Sequence, residues 1–155
     1  MTRINIIPPR LLTDQHLVAE KFEITWINGY LNRTKKSKKG LLNINSYPKE
    51  FSLNTNHVKF FYDKGLYLEK RFNSLKEECN RRRIRNENSF DKSSWENLEP
   101  IWFKDYTPSK KDYSIILERI KERVNKKPNW YKFHKNHLDL EKYFSLLDKF
   151  FAEQF

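Results

Sequence analysis

The spacing of apolar residues constrains the fold of this chain more than any other feature of it. In four segments they recur every three or four residues, the period of an amphipathic helix, and no segment alternates apolar and polar residues as a strand does. The positions expected to face a core are Leu17, Ile24, Ile27 and Leu31; Leu68, Phe72, Leu75 and Cys79; Tyr113, Ile116, Leu117, Ile120 and Val124; and Leu140, Phe144, Leu147 and Phe151. The pattern predicts an all-α protein with three main helices and a fourth, C-terminal amphipathic helix.

Threonine and proline mark the ends of the expected helices. Thr13 is an N-cap candidate for the first helix, and Thr107, followed by Pro108 at the favoured first helical position, is one for the third. Pro128 cannot continue a helix and ends the third. The predicted spans are about 14–33, 63–82, 108–127 and 137–155, the last as a helical extension of a compact single domain that covers residues 1–155.

The first helix carries a polar strip that needs partners. His16, Glu20 and Glu23 lie within one strip of the helix surface beside the core-facing side chains, so we expect them to be partly exposed. Pro8 and Pro9 exclude a helix from the first twelve residues, and an extended arm that folds back could bring its positive α-amino group to the carboxylates. An ordinary salt-bridged helix face is the alternative explanation of the same spacing.

The charge of the chain indicates a polyanionic partner. The formal net charge is +11, from 31 Lys and Arg against 20 Asp and Glu, and the sequence contains 12 Phe, 8 Tyr and 4 Trp. Aromatic rings interleaved with cations suit base stacking combined with phosphate neutralisation. The rings could equally serve to fill a core that is poor in aliphatic side chains. A polyanion, either nucleic acid or an acidic membrane surface, is therefore the first partner to consider.

The cysteine and histidine residues restrict which cellular compartments and which metal cofactors are compatible with the sequence. A single cysteine, Cys79, excludes an internal disulfide and suits a reducing compartment. No apolar run approaches the length of about 18 residues needed to span a bilayer. His134 and His137 lie three residues apart but have no matched third and fourth ligand. We expect a cytoplasmic, soluble monomer with no metal, no cofactor and no membrane partner.

Several short strings together resemble one family of DNA-repair enzymes. They are MTRIN at 1–5, DQHL-x-AE at 14–20 with Glu23, HVKFFYDK at 57–64, L-x-KR at 68–71, EC at 78–79, and Arg119 and Arg123 followed by P-x-WYK at 128–132. In this order and spacing the chain resembles the phage pyrimidine-dimer DNA glycosylases, the endonuclease V family of T-even phages. The resemblance implies a compact all-α domain whose N-terminal arm threads between the first and third helices.

The resemblance also implies a chemistry for the start of the chain. Once Met1 is removed, the α-amine of Thr2 would be the nucleophile that displaces the damaged base and forms a Schiff base with the sugar. Glu23 would be the catalytic carboxylate, and β-elimination would then nick the strand. This activity is that of a bifunctional DNA glycosylase and abasic-site (AP) lyase that acts on UV-induced pyrimidine dimers in double-stranded DNA, and it needs no metal.

The remaining matched residues are assigned to DNA binding. The resemblance implies phosphate contacts for Arg3, Arg119 and Arg123. We expect Trp130 to pack mainly on the core. The other residues assigned to the DNA-binding surface are His16, Trp26, Trp130, Tyr131 and Lys132.

Two positions depart from the family pattern. Where the phage prototype has arginines beside the catalytic glutamate, this chain has Phe22 and Trp26. Trp26 could stack on an exposed base or could merely cover the core. The same chemistry on a different damaged base, and a non-catalytic DNA-binding protein on the same scaffold, are therefore alternatives. The segment after residue 136 has no counterpart in the prototype.

Overall fold

Five α-helices, four short 3-10 helices and one small hairpin form the regular structure of residues 3–155, the part of the chain that the structure, a computed structural model, describes. The helices are α1 (Asp14–Lys36), α2 (His57–Phe60), α3 (Gly65–Arg81), α4 (Lys110–Lys126) and α5 (Leu140–Gln154). Strands β1 (Lys132–Phe133) and β2 (Asn136–His137) pair antiparallel and are the only strands in the described residues. The prediction of an all-α protein is confirmed.

Helix α4 begins later than the sequence indicated. The N-cap is Ser109, whose hydroxyl accepts the N–H of Asp112 at 3.2 Å. The Asp112 carboxylate accepts the N–H of Ser109 at 3.0 Å in return, which completes a capping box. This reciprocal pair satisfies two backbone donors, whereas Thr107 could satisfy only one. The prediction of a start at Thr107–Pro108 was therefore wrong by two residues.

Helix α5 lies against α4 and reaches the N-terminal arm. Asp139 caps the helix by accepting the N–H of Lys142 at 3.1 Å. Its buried side includes Tyr143, whose hydroxyl donates to the carbonyl oxygen of Leu11 at 2.7 Å. The C-terminal helix therefore packs beside the arm and binds its backbone.

The arm, residues 3–12, is held by buried side chains that bind its backbone. The N–H of Asn5 donates to Oε1 of Glu20 at 3.0 Å, and the guanidinium of Arg82 donates to three arm carbonyls at 2.8 to 3.2 Å. Those carbonyls belong to Pro9, Arg10 and Leu12. Residues 9–11 form one 3-10 turn, so the arm is not extended throughout as predicted. Proline at the first position of the turn is compatible with it, because that N–H needs no partner.

Another arm contact makes the stability of the fold depend on pH. Nε2 of His57 accepts the N–H of Ile4 at 2.9 Å, so the ring proton is on Nδ1, which donates to the carbonyl of Ser52 at 2.8 Å. Burial is the main reason why the pKa of His57 falls from 6.5 to about 4. The unfolded chain takes up this proton at higher pH than the folded chain does. The stabilisation is therefore complete above about pH 6.5 and is lost as the pH falls towards 4.

We expect His57 to account for a loss of about 3 kcal/mol in the free energy of unfolding between about pH 7 and pH 4, the equivalent of that pKa difference. Urea unfolding across this range measures it. His57→Gln keeps a hydrogen-bond acceptor but does not titrate, so its stability should depend less steeply on pH. Equal slopes in the two proteins would refute the assignment, because all other titrating groups are common to both.

Candidate active site

The two carboxylates of the predicted polar strip have different surroundings. Glu20 is fully buried and forms a bidentate ion pair with Arg71 of α3, with N–O distances of 2.6 and 2.9 Å. It also holds the arm through Asn5, so its bonding capacity is used inside the protein. The expectation of partial exposure was wrong for Glu20. It holds for Glu23, which is half-buried one helical turn further on.

A pocket of about 280 Å³ opens between the arm, α1 and α4. Most of the residues predicted for the site line it. The lining residues are Arg3 and Asn5 from the arm, His16, Ala19 and Glu23 from α1, Arg119, Ile120 and Arg123 from α4, and Tyr131. The α1 residues are spaced three and four apart and thus share one helix face, as do the α4 residues. Helical spacing therefore explains how each helix contributes its side chains.

Glu23 is the only carboxylate among the residues that line this pocket. Its partial burial raises the pKa of the Glu23 carboxyl above the usual value. A backbone hydrogen bond and the positive charge from Arg3 act in the opposite direction. A carboxylate in such surroundings is a better proton acceptor than an exposed glutamate and can stabilise a cationic centre beside it.

Three arginines give the pocket an excess of positive charge. Burial, followed by the charges of Arg119 and Arg123, lowers the pKa of Arg3. Within residues 3–155, Nε and Nη1 of Arg3 are buried and have no hydrogen-bond partner. Among the described residues, the one carboxylate near the Arg119 guanidinium is that of Glu122, at 3.7 Å. Guanidinium groups with unused donors beside one carboxylate are suited to an anionic ligand such as a phosphate.

His16 is a neutral member of the pocket. Burial, with a smaller effect from the charge of Arg123, lowers the pKa of His16 from 6.5 to about 4. Nδ1 of the ring lies 2.9 Å from the hydroxyl of Thr13, and the ring stacks on Tyr131 with 4.8 Å between centroids. The ring is therefore held in a fixed orientation at the pocket wall.

The first turn of α1 positions Tyr131. The side-chain amide of Gln15 donates to the carbonyl of Trp130 and accepts the N–H of Lys132, both at 2.9 Å. Asp14 accepts the N–H groups of two residues at the hairpin tip at 2.8 and 3.1 Å. These contacts bring the segment around Tyr131 against His16.

Trp130 and Lys132 lie outside the pocket lining. The Trp130 side chain is 62% exposed, so the prediction that it packs on the core was wrong. Its ring borders a second, apolar groove that shares His16, Ala19 and Tyr131 with the pocket. Pro128 ends α4, and the chain that follows crosses the surface instead of entering the core. Lys132 is exposed in β1.

The two aromatic residues of α1 that depart from the family pattern are both at the surface. Phe22 is 48% exposed and Trp26 is 49% exposed. They are spaced i, i+4 on the helix, so their rings lie on neighbouring turns. Neither lines the pocket, although Phe22 adjoins Glu23 in sequence. Trp26 is thus available to a ligand on about half of its surface.

Asn5, Ala19 and Ile120 line the pocket but were not predicted as site residues. Ala19 lies on the same face of α1 as His16 and Glu23, three and four residues away from them, so helical periodicity could have indicated it. Asn5 lies on an arm without a repeating pattern, and no local signal could have indicated it.

Three further expectations concern the nucleophile, a metal site and a membrane-spanning helix. Thr2, the predicted nucleophile, lies outside the described residues. Within residues 3–155, no three His, Cys, Asp or Glu side chains are grouped so that they could hold a metal ion. No helix in that same part of the chain is long and apolar enough to cross a membrane.

The fold and the pocket together define a class of protein. An all-helical domain with a cationic pocket built around one half-buried carboxylate is suited to an anionic substrate and to proton transfer. A family model described as pyrimidine dimer DNA glycosylase matches residues 1–92, more than half of the chain. The chain belongs to the pyrimidine dimer DNA glycosylase family, whose members are DNA-repair enzymes that act on DNA.

Proposed function

We propose that this protein excises pyrimidine dimers with the α-amine of Thr2 as the nucleophile and then nicks the strand as an AP lyase. Support for the proposal comes mainly from the pocket, which Arg3 of the arm and Glu23 of α1 line together. Thr2 directly precedes Arg3 in the sequence. We therefore assign the attack on the sugar to the amine of Thr2.

The amine is chemically suited to this task. An α-amino group has a pKa of about 7.7 to 8.0, against about 10.4 for lysine, so much more of it is neutral near pH 7. The neutral nitrogen attacks C1′, and the electron pair of the glycosidic bond leaves with the base, which takes up a proton. The nitrogen loses a proton, the C1′–O4′ bond opens as O4′ is protonated, and an iminium forms.

Strand cleavage follows from the iminium without a redox step. A proton is removed from C2′, and the electron pair expels the 3′-phosphate by β-elimination. Water then hydrolyses the imine and releases the amine of Thr2. We assign the proton transfers and the stabilisation of the cationic sugar to Glu23, the carboxylate of the pocket.

The cations of the pocket are proposed to hold the DNA backbone. Arg3, Arg119 and Arg123 have guanidinium groups suited to phosphate. We propose that His16 and Tyr131 contact the sugar and the base of the bound nucleotide. We propose that three exposed residues contact DNA outside the pocket, namely Trp26, Trp130 and Lys132.

The exposed rings of Phe22 and Trp26 favour a second candidate, the same chemistry on a different damaged base. A ring at this position can stack on an unpaired base, whereas the arginines of the family pattern bind acceptor groups. Comparing excision of a pyrimidine dimer with excision of other lesions distinguishes the two candidates.

Borohydride trapping tests the proposed chemistry. With the Met-processed protein and a dimer-containing or an abasic duplex, reduction of the iminium should join protein and DNA covalently through residue 2. Peptide mapping of the adduct by mass spectrometry identifies the site. An adduct on a lysine would show that the N-terminal amine is not the nucleophile.

Arg119 and Arg123 should contribute to the affinity for duplex DNA independently of base sequence and damage. We expect Arg119→Ala and Arg123→Ala each to weaken binding to any duplex and to reduce the slope of log K against log salt by about one. Titrations at several salt concentrations measure this slope. Lys142→Ala is the control, because Lys142 is an exposed cation of α5 that does not line the pocket. Equal slopes for Arg119→Ala and this control would exclude a phosphate contact.

A further inference from the structure

The hydroxyl of Thr13 has two neighbours, and both belong to His16. Thr13 is fully buried and caps α1 by accepting the backbone N–H of His16 at 3.1 Å. The other neighbour is Nδ1 of the His16 ring, at 2.9 Å. Among the described residues the hydroxyl makes no other hydrogen bond. Its own proton therefore has one available acceptor, which is Nδ1.

Hydrogen-bond counting then decides the tautomer of the ring. If Nδ1 carried a proton, there would be two possibilities. Either the hydroxyl proton of Thr13 and the proton on Nδ1 would point at each other, or the hydroxyl would be a buried donor without an acceptor. A buried donor without a partner is destabilising, because it has lost its hydrogen bonds to water without replacing them. If Nδ1 is unprotonated, it accepts the proton of the Thr13 hydroxyl, so both groups are satisfied and the ring proton is on Nε2.

We propose that Thr13 fixes His16 in the neutral tautomer with the proton on Nε2, so that His16 meets bound DNA as a hydrogen-bond donor and is not a proton acceptor. That His16 donates this hydrogen bond to DNA rests on the proposed function, whereas the tautomer of the ring does not. Thr13 is a positioning residue, since it acts on the pocket through His16.

The surroundings of the ring keep it neutral. Arg3, Arg119 and Arg123 face it across the pocket, and Lys135 lies on the neighbouring groove, so added positive charge is disfavoured. The opposing carboxylates at these two cavities are Glu23 and Asp14, and Asp14 is already bound to Arg82 at 2.9 Å. The phenol of Tyr131 covers one face of the ring. With Nδ1 occupied, Glu23 is the proton acceptor of the pocket.

Nitrogen-15 NMR of the full chain tests the tautomer directly. Protonated and unprotonated ring nitrogens resonate in separate ranges, and comparison with His16→Gln assigns the His16 signals among the four histidines. Between about pH 5 and pH 8 we expect Nδ1 to be unprotonated and Nε2 protonated throughout. A proton on Nδ1 at any pH in this range would overturn the proposal.

Two substitutions at position 13 test the role of the hydroxyl. Thr13→Ser keeps the donor and should preserve the tautomer. Thr13→Val removes it, and the His16 signals should then report a mixture of tautomers or a titration nearer to pH 6.5. An unchanged His16 spectrum in Thr13→Val would overturn the proposal. If Thr13→Val does not fold, the wild-type and Thr13→Ser spectra still decide the question.

The pH dependence of nicking tests the consequence for catalysis. On a preformed abasic duplex, His16→Gln keeps an N–H donor and should lower the rate by no more than about 10-fold, the value of one hydrogen bond, while the acidic limb of the profile stays in place. Loss or displacement of that limb would show that His16 accepts a proton and would overturn the proposal. Borohydride trapping of the same samples reports separately on the proposed function.

Discussion

A methionine or an affinity tag left in front of Thr2 is expected to abolish strand cleavage while DNA binding stays largely unchanged. The α-nitrogen of Thr2 would then be an amide, whose electron pair is delocalised into the carbonyl and is not nucleophilic. The arginines that we propose to bind phosphate would remain in the pocket. Mass spectrometry of the N-terminus, combined with nicking and binding assays on the same sample, measures the effect.

A tag at the other end of the chain is the matched control. The last residue, Phe155, is 57% exposed and follows α5 at the surface, so a C-terminal tag should leave cleavage intact. Cleavage at the full rate by a homogeneous sample that retains Met1 would refute the N-terminal amine as nucleophile.

Glu23→Gln is expected to reduce base excision by about 10²- to 10³-fold. Glutamine keeps the size and the hydrogen-bonding capacity of the side chain but removes the charge that would stabilise a cationic sugar and accept protons. Affinity for DNA should hold or rise slightly, because one negative charge near the phosphates has been removed. Single-turnover excision rates and equilibrium binding, measured in parallel, separate the two effects.

The control for this substitution is Glu77→Gln. Glu77 is an exposed residue of α3 that does not line the pocket, and its replacement changes the net charge by the same amount. It should excise at the wild-type rate. Full activity in Glu23→Gln would remove the carboxylate from the mechanism.

Helical periodicity was sufficient to predict where most of the core and the pocket would form. The spacing of Leu68, Phe72 and Leu75 placed α3 correctly, because burial of one helix face follows directly from a repeat of three and four residues. The side chains of His16 and Glu23 reach one pocket for the same reason. Properties that depend on a single helix could thus be predicted from the sequence.

Contacts between distant segments could not be predicted in this way. Glu20 and Glu23 are equivalent by spacing, and only the approach of Arg71 from α3 makes Glu20 a buried structural group. His57 binds Ile4 across 53 residues, and no local pattern connects the two. The exposure of Trp130 likewise depends on the path of the chain after Pro128. These features are set by packing between elements, which the sequence encodes only indirectly.

The contact between Tyr143 and Leu11 has a consequence during synthesis of the chain. The two residues are 132 positions apart, so at the usual rates of translation Tyr143 emerges on the order of ten seconds after Leu11. During that interval the arm lacks the partner that α5 provides, and we expect the nascent N-terminus to be accessible to a methionine aminopeptidase. Under the proposed function, Met1 would be removed before α5 adds its contact to the arm.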